Sequence, residues 1–225
     1  MKRIQRGTEA DARRAMEEVC QCYWYPIYSY LRRSGHAQHD AEDFTQSFFQ
    51  RLVAEESLRH VAAENGLLRS FLLSVLKRLL SDHFRHHAAQ KRGGGKPVQS
   101  LDAMDAEERY QREPVDVENP EVLYERAWAE GVLASALLKL RAACIEANNV
   151  EAYEHMREFL PLGDNATPYA AVGQSLGLSE SVVRLQIHRM RKRYAKFVEE
   201  VIAQTVTDPA EVRTERDHLL AVMGR

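Results

Sequence analysis

The sequence predicts an all-α chain of two helical domains joined by an acidic linker, and three observations carry that reading. Apolar residues recur at helical spacing in Phe44, Phe48, Phe49 and Leu52, in Leu68, Phe71, Leu72, Val75, Leu76 and Leu79, and in Leu133, Leu137, Leu140 and Cys144. Almost nothing alternates with the period of a strand. Between these runs, QKRGGGKPVQS (residues 90–100) gathers glycine, proline and serine, and the acidic stretch that follows carries two prolines, so it should be a linker with at most a short helix. Finally, 225 residues at 44% hydrophobic and 28% charged suit a folded chain with room for two small domains. The expected division is a first domain over 1–92, a linker over 93–119, a second domain over 120–206 and a C-terminal amphipathic helix over 207–225. No repeat of fixed period links the two domains.

Taken in order, MKRIQRGTEADARR lacks the apolar middle of a signal peptide, and no later stretch reaches the roughly 18 uncharged apolar residues of a membrane span. The expected location is the cytoplasm, with no membrane partner. Cys20, Cys22 and Cys144 are sparse, odd in number and poorly spaced for a disulfide framework, so they read as reduced thiols. The cluster CYWYPIYSY fits either a core or a stacking platform for bases; aromatics this dense at helical spacing favour core. HDAEDFTQSFFQRLV opens with acids, as a helix dipole prefers, and then sets Phe44, Phe48 and Phe49 among Gln46 and Gln50. NGLLRSFLLSVLKRLLSDHFRHH is a second apolar helix with a basic end.

Residues 167–196 have the grammar of a helix-turn-helix. Thr167 should cap a helix whose first position is Pro168, with Tyr169, Val172 and Leu176 facing inward. Gly173 should allow a close approach, Gly177 should end the helix in the left-handed conformation, and Ser179 should cap the next one. Val183, Ile187 and Met190 face inward at three- and four-residue steps. The outer face then carries Arg184, His188 and Arg191, with Ser181 and Gln186 beside them, as candidate base-edge contacts. Arg189, Lys192, Arg193 and Lys196 extend the charge toward phosphates. A hairpin that only packs is the other reading of this pattern, and the basic outer face favours DNA. The tail beyond Thr207 offers Val212, Leu219, Leu220 and Met223 as an apolar side, for packing on the last domain or meeting a regulator.

A formal net charge of −2 conceals two basic zones. Arg69, Lys77, Arg78, Arg85, Lys91, Arg92 and Lys96 crowd the end of the first domain, and no acid occurs from Ser181 to Val198. Asp102, Asp105, Glu107 and Glu108 head an acid block between them, which cancels the sum without neutralising either face. That block is either a solvated spacer held extended by self-repulsion or a phosphate-like chain that enters a nucleic-acid channel.

Enzyme readings fare poorly. His83, His86, His87 and Asp82, even with Cys20 and Cys22, lack HExxH or paired CxxC spacing, so no metal site is expected. GGGK ends like a phosphate loop, but Gln90 stands where its first glycine belongs and Pro97 where the magnesium-binding hydroxyl belongs. No cofactor and no catalytic residue is expected.

The segment DAEDFTQSFFQRL resembles the core-polymerase-binding segment of extracytoplasmic-function (ECF) sigma factors, and GLLRSFLLSVLKRLLSDHFRHH resembles their promoter-melting segment. YAAVGQSLGLSESVVRLQIHRMRKRY is similar to the family's second promoter-reading domain. QKRGGG, SLDA with AEERY, and TVTDPAEV further resemble an ECF-like subgroup of planctomycete type. The resemblance implies a region-2-like bundle and a region-4-like helix-turn-helix domain, and a bacterial transcription initiation subunit rather than an enzyme. It assigns core-polymerase binding to Asp40, Glu42, Asp43, Phe44, Gln46 and Phe48, and reading of the opened minus-10 element to Asn65, Arg69, Lys77, Arg78 and Arg85, with a base pocket in the loop from Ala62 to Arg69. Minus-35 reading falls to Ser181, Arg184, Gln186, His188, Arg191 and Lys192. The implied partners are core RNA polymerase, promoter DNA and an anti-sigma factor or other regulator. Arg78 departs from the polar residue expected after Lys77, and Gly173 stands where the family usually has alanine. The alternative is a helix-turn-helix regulator without a core-polymerase role, which makes nothing of Asp40 to Leu52.

Overall fold

The computed structural model describes residues 9–54, 67–87, 101–113, 119–161, 163, 167–206 and 208–224. Among them are nine α-helices and one 3₁₀ turn, and no strand: α1 (Glu9–Arg33), α2 (Gln38–Ala54), α3 (Leu68–His87), α4 (Leu101–Gln111), α5 (Pro120–Glu146), α6 (Val150–Met156), the 3₁₀ turn Arg157–Phe159, α7 (Tyr169–Leu176), α8 (Glu180–Thr205) and α9 (Glu211–Met223). The all-α reading holds. The chain divides into two compact units, Met1–Gly131 with Ala203–Arg225, and Val132–Ile202.

In the first unit, α1 buries Val19, Tyr23, Ile27, Tyr30 and Leu31, so the aromatic cluster is core. Tyr23, Ile27 and Tyr28 are completely inaccessible, and no base could stack on them. On α2, Ala41, Thr45, Phe48, Phe49 and Leu52 face inward, with Phe49 stacked on Trp24 at 5.7 Å and set edge-on to Phe48 at 5.4 Å. Leu68, Leu72, Leu76 and Leu80 make a four-residue ridge along α3. Each such side chain stabilises by about 1.5–3 kcal/mol on leaving water, and the packing of this face is what holds the helix in place.

The acidic stretch is neither fully extended nor fully solvated. α4 docks on α1 by charged and aromatic contacts: Arg32 donates from Nε and Nη2 to the Glu107 carboxylate, both at 3.0 Å, and the Tyr28 hydroxyl donates to the same group. Tyr25 donates to Glu113 at 2.7 Å, and the Arg109 guanidinium lies 3.6 Å from the centre of the Tyr25 ring. The fork of Arg32 matches a carboxylate in two bonds, which a solvated spacer would leave unused. Burial opposes ionisation of Glu107, but the bonds from Tyr28, Gln111 and Arg32 outweigh it and hold its carboxyl below the ordinary glutamate range.

The C-terminal helix also departs from expectation. α9 belongs with the first unit and buries Glu215, Leu219 and Val222, whereas Leu220 is 61% exposed. The apolar pattern places the inward stripe slightly off, because a carboxylate with a charged partner occupies its centre.

The second unit gathers Met156, Phe159, Val172, Val183 and Ile187 into one cluster, with Tyr169, Leu176, Leu178 and Met190 packed against it. The Tyr194 hydroxyl donates to the Leu133 carbonyl at 3.0 Å and fixes the middle of α8 to α5.

Candidate nucleic-acid interface

The turn between α7 and α8 is built by its glycines. Gly177 takes φ 65° and ψ 29°, its N–H reaching Gln174 O, while Leu178 N–H bonds Gly173 O at 2.8 Å. These two bonds close the helix end in a Schellman arrangement. Glycine is also required at 173 for space, because a β-carbon there would sit 2.6 Å from the Leu178 carbonyl oxygen and 3.6 Å from Val183 Cγ2. The start of α7 differs from the sequence reading. Pro168, in an extended conformation, is the N-cap, and Thr167 makes no side-chain cap; its N–H instead donates to Glu158 at 3.1 Å. Proline's ring fixes the entry without needing a hydroxyl.

α8 begins at Glu180, the Val183 N–H bonding Ser179 O at 3.0 Å. Val183 and Ile187 are buried and Met190 packs beside them, which turns Ser181, Arg184, His188, Arg191 and Lys192 outward; all five are exposed, and Gln186 is half-buried. Arg184 donates to Glu180 Oε1 from Nε at 3.0 Å and from Nη2 at 2.6 Å, and its guanidinium lies 5.2 Å from the Tyr169 ring centre. Both side chains of that pair are largely exposed, at 64% and 47%. Such a pair is worth about 0.3–0.5 kcal/mol, far less than the ~1–3 kcal/mol of a bidentate base contact. The pair therefore orients Arg184 without holding it back. Arg191 is tied more firmly, its Nε donating to the Phe159 carbonyl at 2.9 Å, so it joins the 3₁₀ turn to α8.

In the first unit the expected docking residues separate by face. Asp40 and Asp43 are exposed near the start of α2, where the helix dipole favours them, and His39 Nε2 lies 3.6 Å from Asp43. Glu42 accepts from Gln38 at 2.9 Å, Phe44 lies 6.4 Å from His36 ring to ring, and both are half-buried with Gln46. Phe48 is 1% exposed. It holds the core, because its position lies on the same helical face as Ala41, Thr45 and Leu52.

The expected minus-10 residues also part. Arg69 is 8% exposed and enclosed by carboxylates, so its guanidinium points into protein rather than toward a strand. Lys77 is half-exposed and pairs with Glu121 at 2.6 Å. Arg78 is exposed and, with Arg51, flanks an apolar depression lined by Phe48, Leu52, Phe71, Val75 and Leu79. Asn65 and the GGGK stretch lie outside the described residues, as do the side chains of Asp82, His83, Arg85, His86, His87, Asp102 and Asp105. Cys20, Cys22 and Cys144 are thiols, and burial pushes Cys20 up to about 11, with Glu17 adding to it. Among the described residues no group of His, Cys, Asp and Glu could hold a metal ion, and no helix is long and apolar enough to cross a membrane.

Sequence reasoning missed Glu180 as the partner of Arg184, although Glu four residues before Arg on a helix is a readable signal. It also missed Glu125 and Glu215 around Arg69, for which no local signal exists.

The family model described as ECF sigma factor matches residues 2–200. No solved structure matches the chain.

Proposed function

Because the chain belongs to the ECF sigma factor family, with its role in transcription initiation, we propose that it docks on core RNA polymerase and directs it to particular promoters. The outer face of α8 reads the upstream minus-35 element as duplex, through Arg184 and His188 at base edges and Lys192 and Arg193 at phosphates. The first unit binds the polymerase through the exposed side of α2, where Asp40, Asp43 and Gln46 stand, and opens and reads the minus-10 element as single strand. Extruding a base from the stack costs a few kcal/mol, so that step needs a pocket and nearby cations. Asn65, Lys77, Arg78 and Arg85 are its candidates, and Arg69 supports it from inside. The chain performs no bond chemistry itself and works in the cytoplasm.

The observation that carries the reading is the outer face of α8: basic side chains exposed along a helix with no acid from Ser181 to Val198, presented by a glycine-closed turn. A DNA-binding regulator would share that face. Copurification with core polymerase separates the two, since retention of the full chain on core polymerase supports the sigma reading and binding to promoter duplex alone supports the regulator.

In this reading the acidic stretch does not act as one unit. Glu107 is occupied by Arg32 and Tyr28, and Glu108 pairs with Arg112 within α4. Mimicry of nucleic-acid phosphates therefore rests on Asp102 and Asp105, while Glu107 anchors the segment to α1.

A further inference from the structure

α9 lies beyond residues 2–200, so the family match gives it no task. Its Glu215 is nevertheless 2% exposed and bonded to a residue 146 positions earlier. Arg69 Nη2 donates to Glu215 Oε1 at 3.1 Å and Nε to Oε2 at 3.4 Å, while Nη1 donates to Glu125 Oε1 at 2.6 Å. The guanidinium lies 5.1 Å from the Trp128 ring centre, and His218, also on α9, places Nε2 3.4 Å from Glu125. The Tyr124 hydroxyl donates to the Arg69 carbonyl at 3.0 Å. Both the side chain and the backbone of Arg69 are thus held, and Arg69 is the second residue of α3.

A buried ion cluster contributes little net stability, because desolvation offsets most of the attraction, but removal of one member leaves an uncompensated charge. In this chain the cluster fixes where the Arg69 side chain lies. Arg69 belongs to the first turn of the helix assigned above to promoter opening. We propose that Glu215 is a positioning residue for promoter opening: through Arg69, α9 braces the start of α3 in the orientation that separation of the paired strands requires. This rests on the sigma reading.

The test uses the full chain with core polymerase and two templates, one fully paired promoter and the same promoter with a pre-melted minus-10 segment. Glu215→Gln keeps size and removes the charge, and the triple change Arg69→Met, Glu125→Gln and Glu215→Leu removes the guanidinium together with both of its carboxylate partners. Both variants are expected to lose most of the transcript yield on the paired template, with yield on the pre-melted template and the melting temperature of the triple variant close to wild type. Equal losses on both templates would reduce the contact to ordinary folding support and overturn the proposal. So would wild-type yield on the paired template, or a gain, which would make α9 an inhibitor. Absence of promoter-dependent transcript from the wild-type chain on either template would contradict the sigma reading itself.

Discussion

Gly173 and Leu178 are joined by a 2.8 Å hydrogen bond from the Leu178 N–H to the Gly173 carbonyl, and the Leu178 carbonyl oxygen closes over the space where a side chain at 173 would begin. Position 173 is in a helix, where alanine gains about 0.5–1 kcal/mol over glycine. Against that gain stands a backbone oxygen at 2.6 Å, which moves only if the turn moves. Gly173→Ala is expected to destabilise the second unit by about 1–3 kcal/mol and to weaken duplex binding. Urea unfolding followed by tyrosine fluorescence checks it, and an alanine variant as stable as wild type would show that the turn relaxes.

Arg184 and Lys192 should fail in different ways. Arg184→Ala should remove about 1–3 kcal/mol of discrimination at one base pair. Lys192→Ala should weaken all sequences alike and lower the salt slope by about one. Binding isotherms on cognate and singly substituted upstream duplexes at several salt concentrations separate these outcomes; equal losses on cognate and scrambled duplex for Arg184→Ala would remove it from the reading face.

Much of this site was legible because its determinants are local. The left-handed Gly177, the inward register of Val183 and Ile187, and the basic outer face of α8 all follow from spacing within about four residues. The pairs that correct the reading are not local: Glu107 with Arg32 spans 75 residues and Glu215 with Arg69 spans 146. Periodicity assigns charged residues to solvent by default and cannot show that a distant helix brings a partner. The family resemblance assigns Arg69 to the opened strand and Phe48 to polymerase docking, but at 8% and 1% exposure both side chains lie inside the protein.

The docking of α4 should depend on pH through Glu107. Its carboxyl is held below the ordinary range in the folded chain, so it contributes stability above its unfolded pKa and loses it as pH falls through the folded value. At neutral pH, Glu107→Gln is expected to lower stability by about 1–3 kcal/mol, the worth of hydrogen bonds to a charged group. Below the carboxylate range the wild type is itself neutral there, and the gap should close. Urea midpoints of both chains at neutral and strongly acidic pH decide it; a gap that persists in acid would mean that packing, not charge, holds α4.

Asp43 and Gln46 test the face of α2. Asp43→Arg with Gln46→Ala alters exposed and half-buried positions one helical turn apart and spares the phenylalanine core. The double variant should keep its unfolding midpoint within about 0.5 kcal/mol of wild type, as surface changes do, and lose core-polymerase affinity by about tenfold or more. Intact affinity in a folded variant would move the docking surface elsewhere.

Whether the chain confers promoter choice on core polymerase is decided by reconstituted transcription. Core polymerase with and without the chain is given a library of randomised promoter fragments, and the 5′ ends and sequences of the transcripts are read. Transcripts are expected to require the chain, to begin at a fixed distance from a shared pair of upstream and start-proximal elements, and to lose the upstream preference with Arg184→Ala. Transcripts with the same starts in the presence and absence of the chain would contradict promoter choice by the chain.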